Sequence, residues 1–107
     1  MAEIDVNDLL PNERVQRSVA DGDVTQLTRG ASTRYAEEGD RFQIDGETYT
    51  VTSVEKRTLG DLTDEDARRE GSESLSAYRE RMKRVHSGEF EWDDSDEVTT
   101  YRFERQG

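Results

Sequence analysis

The sequence predicts an α+β fold, a small partly closed β-barrel of about five to six strands with two to three flanking helices. Three observations point there. Two β-type runs, residues 41–44 and 48–54, flank an Asp45-Gly46 dipeptide, which is a strong hairpin signal. Two stretches, residues 13–21 and 75–85, space their apolar side chains three and four apart, as one face of a helix requires. The predicted elements run helix, strand, hairpin, two helices, strand, which is not the strand-by-strand alternation of βαβ winding. A sheet with so few strands must curl to enclose a core.

Each element has its own signal. Asn12 stands at an N-cap position before Val15 and Val19, which lie four apart, and the helix stops at Gly22. Thr25, Leu27 and Arg29 then alternate as one side of a strand. Residues 30–39 read as a polar loop ending in Gly39-Asp40. Phe42 and Ile44 share a face before the Asp45-Gly46 turn, and the Thr/Val/Tyr-rich run follows it. Thr63 followed by Asp66 is a relative of the capping box, and residues 64–70 form a short, largely exposed helix closing on Gly71. Leu75, Tyr78, Met82 and Val85 make the core side of the next helix, while Arg79, Arg81, Lys83 and Arg84 lie around the rest of it. Residues 90–96 form an acidic loop. Residues 98–104 return to alternation, with Thr99, Tyr101 and Phe103 on one side. No repeat, linker or low-complexity tract interrupts the chain, so residues 1–107 are expected to form a single domain.

Composition at first argues against folding. The chain has 26 acidic and 15 basic residues, a net charge of −11, and only 19 Leu, Ile, Val and Phe in 107 residues. That is just under the rough 20% line at which a highly charged chain is suspected of disorder. The basic residues, however, are 13 Arg and two Lys, and the acids are spread along the whole length. This is a halophile signature, in which surface carboxylates keep a domain hydrated while salt screens their repulsion. No apolar run approaches the roughly 20 residues that span a bilayer, and Met1-Ala2-Glu3-Ile4-Asp5 is acidic where a secretory signal is basic, so a soluble cytoplasmic protein is expected. With no Cys, thiolate metal sites and disulfides are excluded, a single histidine, His86, argues against a His-rich metal site or a Ser-His-Asp triad, and no cofactor or metal is expected.

Four segments taken together, residues 22–29 (Gly-Asp-Val-Thr-Gln-Leu-Thr-Arg), 39–42 (Gly-Asp-Arg-Phe), 49–54 (Tyr-Thr-Val-Thr-Ser-Val) and 59–71 ending in Glu70-Gly71, resemble the ASCH domain family, a branch of the PUA-like superfamily. The resemblance covers roughly residues 13–104 and marks the chain as similar to an acidic member of haloarchaeal type. It implies a barrel with a cleft lined by the first motif and by Glu70, and a role in RNA metabolism. The family's first motif is Gly-x-Lys-x-x-Thr-x-Arg. Gly22 and Arg29 match it, but Val24 stands at the Lys and Leu27 at the Thr. In the family's small amidohydrolases, which act on acetylcytidine, that Lys, that Thr and the Glu are the catalytic set. Val24 moves no proton and Leu27 attacks no carbonyl. Sliding the register to Thr25 or Thr28 restores a hydroxyl but no lysine, the nearest being Lys56.

The resemblance and the residues together give an RNA-, nucleoside- or nucleotide-binding module that works through a small cleft and not a basic patch, with Gly22, Thr25, Arg29 and Glu70 in the cleft and Arg34 and Tyr35 at its mouth. Arg29 and Glu70 are expected either to pair across the cleft or to be a stabilising ion pair only. Arg beside Tyr suits an unstacked base. The alternatives are a hydrolase, either an acetylcytidine-type amidohydrolase or a ribonuclease, with Glu70 as general base, and a protein-interaction domain using a sheet edge or the Tyr78/Met82 helix. The Arg79–Arg84 face reads as solvated, His86 as facing a helix dipole, Trp92 as a rim packing residue, and Asp93, Asp94 and Asp96 lack the spacing of a calcium loop. A monomer is expected, with no membrane partner. The charge count yields one test: circular dichroism is expected to show a folded chain in molar KCl and a loosened one at millimolar salt, and identical spectra in the two would contradict the halophile reading.

Overall fold

A computed structural model describes residues 3–10, 12–85 and 92–106. Helix α1 (Val6–Leu9) is a single turn started by Asp5, whose side chain accepts from the Asn7 N–H at 2.9 Å. Helix α2 (Glu13–Ala20) has the expected cap, with Asn12 Oδ1 accepting from the Arg14 N–H at 2.8 Å. Strands β1 (Gln26–Gly30), β2 (Arg41–Ile44) and β3 (Glu47–Thr58) follow, then helices α3 (Asp64–Arg69) and α4 (Leu75–Val85), and finally β4 (Glu97–Arg105).

The four strands form one antiparallel sheet in the order β1-β4-β3-β2. The last strand is inserted between the first and third, so chain closure completes the sheet. The Asp45-Gly46 turn is as expected: Ile44 faces Glu47, and both turn residues take positive φ, 50° and 84°, the geometry that matches strand twist in a two-residue hairpin. Residues 98–104 also fall within a strand.

The α+β class and the curled, partly closed sheet agree with expectation; the element counts differ. The described residues hold four strands in place of five or six, and the run beginning at Thr48 does not stop at Val54 but continues to Thr58. A register shift between Val51 and Ser53 leaves Thr52 as an extra residue opposite β4. Such a bulge increases bend and twist, so one 12-residue strand curves around the core and the sheet curls without further strands. The described residues hold four α-helices in place of two or three, the additional one being the single turn α1 held by its Asp5 cap.

The sheet is covered on both faces. One face packs Phe42, Tyr49, Val51, Tyr101 and Phe103 with Leu9, Leu10 and Val19 from the first two helices. Phe42 lies 5.4 Å from Tyr49 in a stacked pair and 5.6 Å from Phe103 edge-on. The other face packs Val98 against Leu59, Leu62, Ala67 and Tyr78, with Trp92 and Met82 at its margin. Along β4, Val98, Thr99, Thr100 and Tyr101 are all buried, so alternation fails where both faces are covered. Helix α3 is accordingly less exposed than expected: Asp66 and Ala67 are buried, as is Glu70 just past its end.

The chain leaves α3 through Gly71, at φ 90°. A Cβ there would stand 3.1 Å from Val24 Cγ2. Gly71→Ala therefore combines a left-handed backbone with a tight contact, and urea unfolding is expected to show a loss of about 1–3 kcal/mol. An unchanged midpoint would contradict the assignment.

Candidate functional site

Glu70 stops α3, and its carboxylate is carried beneath β1, where it is 3% exposed. Four donors converge on it. Oε1 accepts from the Thr28 N–H at 2.9 Å and from Tyr78 Oη at 3.0 Å; Oε2 accepts from Gln26 Nε2 at 2.9 Å and from Thr28 Oγ1 at 2.7 Å. Thr28 has one hydroxyl proton and gives it to Glu70, so Thr100 Oγ1, 3.0 Å away, is the donor to Thr28. Thus β1, β4, α3 and α4 meet at one carboxylate.

Gln26 extends the network to a second buried acid. It is fully buried, accepts from Arg102 Nε at 3.0 Å through its Oε1, and donates through Nε2 to Glu70 and, at 3.3 Å, to Asp66. Asp66 takes both terminal nitrogens of Arg57, at 3.1 and 2.9 Å, and closes a reciprocal capping box with Thr63. The hint seen in the sequence at Thr63 is therefore a full box whose acid also serves the interior. Every buried side-chain polar atom among the described residues has a partner.

The two acids titrate in opposite directions. Burial pushes Asp66 upward, but Arg57, the Thr63 N–H and Gln26 outweigh it and hold the carboxyl far below the usual range. At Glu70 burial wins, raising the carboxyl above its ordinary value against the donors from Gln26, Thr28 and Tyr78. Burial, then the charge on Glu70, push the Tyr78 phenol well up, so it remains a donor.

Two cavities open at opposite ends of the β1/β4 ladder. One, about 410 Å³, lies at the Gly30/Val98 end and is lined by Thr28, Arg29, Tyr35, Tyr78 and Met82, with Asp96 and Glu97 also in its lining. Glu70 stands behind that lining and is reached through Thr28 and Tyr78. The other, about 580 Å³, lies at the Gln26/Arg102 end and includes Gly22, Thr25, Arg69 and Arg102.

The expected site residues are thus divided. Gly22 and Thr25 belong to the larger cavity, Arg29 and Tyr35 to the smaller, and Glu70 is buried between them. Arg29 does not pair with Glu70. Adjacent residues on a strand point to opposite faces, so Thr28 reaches Glu70 while Arg29 turns away. Its guanidinium lies 3.8 Å from the Tyr35 ring centre and donates to the Asp8 and Leu9 carbonyls at 3.2 and 3.4 Å. Arg34 lines neither cavity; it is exposed and pairs with Glu37 at 3.4 Å. Thr28, not Thr25, supplies the hydroxyl beside Glu70, one residue beyond Leu27. Val24 is buried against Gly71, and Leu27 is half-buried in the core on the opposite face.

The basic helix face is dispersed. Arg79 lies 4.9 Å from the Trp92 ring, Arg81 donates to the Glu70 carbonyl at 3.2 Å, and Lys83 pairs with Glu80 at 3.8 Å. Trp92 packs edge-on to Tyr78. His86, Phe90 and Glu91 lie outside the described residues. Gln26, Arg57, Asp66, Tyr78, Thr100 and Arg102 were not anticipated as a network. The available signal was the unalternating run Val98-Thr99-Thr100-Tyr101, which marks a strand covered on both faces and hence a buried polar face on β1.

No family model matches the sequence, and no curated protein does. Solved structures match in fold. An ASCH domain from Lactobacillus crispatus JV V101 superposes with a TM-score of 0.69 at 16% identity, over 87% of this chain and 70% of that one. A DUF984 protein from Enterococcus faecalis V583 superposes with a TM-score of 0.65 at 18% identity, over 96% of this chain and 74% of that one. The chain therefore has an ASCH-like fold, α+β with a curled four-stranded antiparallel sheet. No described helix is long and apolar enough to cross a membrane.

Each Glu70 oxygen faces one donor that cannot rotate away, the Thr28 N–H or the Gln26 amide. A Glu70→Gln amide therefore opposes a fixed N–H in either orientation, and a loss of about 1–3 kcal/mol is expected in urea unfolding. The raised pKa means that the folded chain binds this proton more tightly than the unfolded chain. Glu70's contribution is complete below its unfolded value near 4.5 and declines as pH rises through its higher folded value. The stability gap between wild type and Glu70→Gln should narrow from pH 4 upward; parallel profiles would exclude that titration. Asp66, with its lowered pKa, contributes above 3.8 and loses that contribution only as pH falls toward its folded value.

Proposed function

We propose that this chain is an RNA-, nucleoside- or nucleotide-binding module that takes an unstacked base into the smaller cavity. The observation that carries this reading is the Arg29 guanidinium stacked on Tyr35 in the lining of a cavity that also presents Thr28 and Tyr78. A guanidinium held flat by an aromatic ring, and anchored by two carbonyls, keeps its outer face as a platform for a base. Asp96 and Glu97 in the lining favour a base edge carrying N–H donors. A module with net charge −11 gains little from a phosphate grip, and in high salt that gain fades further, so shape, stacking and hydrogen bonds are the terms left to it. The acidic composition supports a halophilic setting, where such a pocket operates.

A second reading has one observation in its favour. Thr28 Oγ1 lies 2.7 Å from Glu70 and lines the cavity, a nucleophile-and-base geometry. Against it, both Glu70 oxygens already accept two bonds, and the position expected to hold a lysine is the buried Val24. Binding is therefore preferred over acetylcytidine-type hydrolysis.

Chemical-shift mapping with cytidine and uridine in molar KCl is expected to move Gly30, Tyr35 and Val98, and Arg29→Ala should weaken binding by roughly tenfold. A flat titration around Arg29 would remove the binding reading. Turnover of acetylcytidine that disappears in Thr28→Val would establish the hydrolase in its place.

A further inference from the structure

We infer that the larger cavity, at the far end of the β1/β4 ladder from the base pocket, is a second site that takes a phosphate monoester with an apolar body. It does not rest on the base-binding reading. Its volume of about 580 Å³ is in the range of small-molecule sites. Its lining runs against the composition of the chain. Three arginines, Arg69, Arg102 and Arg105, face two acids, Asp21 and Glu104, on a protein whose acids outnumber its bases 26 to 15. The smaller cavity has the opposite balance, with Arg29 against Asp96 and Glu97.

The arginines retain donors. Asp66, the acid behind them, is already held bidentately by Arg57, so Arg69 at 3.7 Å and Arg102 at 3.8 Å are outlying cations beside a satisfied carboxylate. Arg69 also pairs with Glu65 through Nη2, while its Nη1 and Arg102 Nη2 both stand beside Asp66 Oδ1, which makes Arg69 and Arg102 the neighbouring guanidiniums of the site. Arg102 commits Nε to Gln26, and its terminal nitrogens make no hydrogen bond among the described residues. Arg105, three residues further along β4, stands on the opposite face beside Tyr49, and its side chain makes no hydrogen bond or ion pair among the described residues.

The backbone adds two hydroxyls from other directions. Thr52 is the bulge residue of β3, with no ladder partner, and it lines the cavity; bulges commonly re-aim a side chain toward a site. Thr25 approaches from the start of β1. Guanidinium groups from α3 and β4, with the hydroxyls of Thr25 and Thr52 in the same lining, suit a tetrahedral oxyanion, whereas a planar carboxylate needs only one guanidinium fork. Val19 and Phe103 supply the apolar wall for the rest of the ligand.

Amide chemical-shift titration of the full chain in about 0.5 M KCl tests this, with phenyl phosphate, inorganic phosphate and phenylacetate as probes. Phenyl phosphate should move Thr25, Thr52, Arg69 and Arg102, leave Gly30 and Tyr35 in place, and bind about tenfold tighter than phenylacetate. Arg69→Gln, which leaves Asp66 held by Arg57 and Gln26, should weaken phenyl phosphate about tenfold, while Arg105→Gln on the opposite face leaves its affinity unchanged. Uridine shifts at the other cavity report separately on the base pocket. Equal affinity for phenylacetate, or an unchanged affinity in Arg69→Gln, overturns the phosphate site. Inorganic phosphate binding as tightly as phenyl phosphate overturns the ester, since the apolar wall then contributes nothing.

Discussion

The fold is organised around one buried carboxylate. Glu70 brings a formal charge to a place with almost no solvent, which is costly unless every lone pair is met. Here each oxygen accepts two hydrogen bonds, and the donors come from β1 and α4, with Thr100 of β4 one bond further out. Hydrogen bonds to a charged acceptor are about twice as strong as neutral ones. The consequence is geometric as well as energetic: α3 and α4 can cover the sheet only in the placement that completes this set.

Gln26 connects that centre to its counterpart. Its amide can serve two carboxylates only by presenting its NH₂ to both, and Arg102 occupies the remaining oxygen. The orientation of the amide is therefore determined by its neighbours. Asp66 is kept charged by Arg57, while Glu70 has only neutral donors and is pushed toward protonation. Two acids on one short helix and its cap thus have different electrostatic characters, set by whether a guanidinium stands beside them.

The same network separates the two cavities. At one end of the ladder Thr28 and Tyr78 present their outer sides to an aromatic, acid-rimmed pocket; at the other Arg102 borders a pocket rich in guanidinium and hydroxyl groups. A chain with net charge −11 cannot hold a nucleic acid by a general positive field, so whatever it holds is recognised locally. Local recognition depends on rigid walls, which a saturated polar core supplies.

Local patterns were legible without coordinates: the Asn12 cap, the Asp45-Gly46 turn, the core face of Tyr78 and Met82, and the stop at Gly71 all depend on residues within a few positions of one another. The resemblance of the 22–29 and 59–71 segments likewise carried the fold and singled out Glu70. The interior polar face was not legible. Gln26, Thr28 and Thr100 look like the solvent side of ordinary strands, and only the return of α3 and α4 over that side buries them. Nor does spacing reveal that Arg29 faces away from Glu70, because that depends on Thr28 meeting Glu70, 42 positions later. Sequence alone determined the class of fold, the elements and the acidic surface, since these follow from short-range pattern and composition. The tertiary structure decided which hydroxyl meets Glu70, where the arginines gather and that there are two cavities, because those depend on contacts between residues more than 40 positions apart.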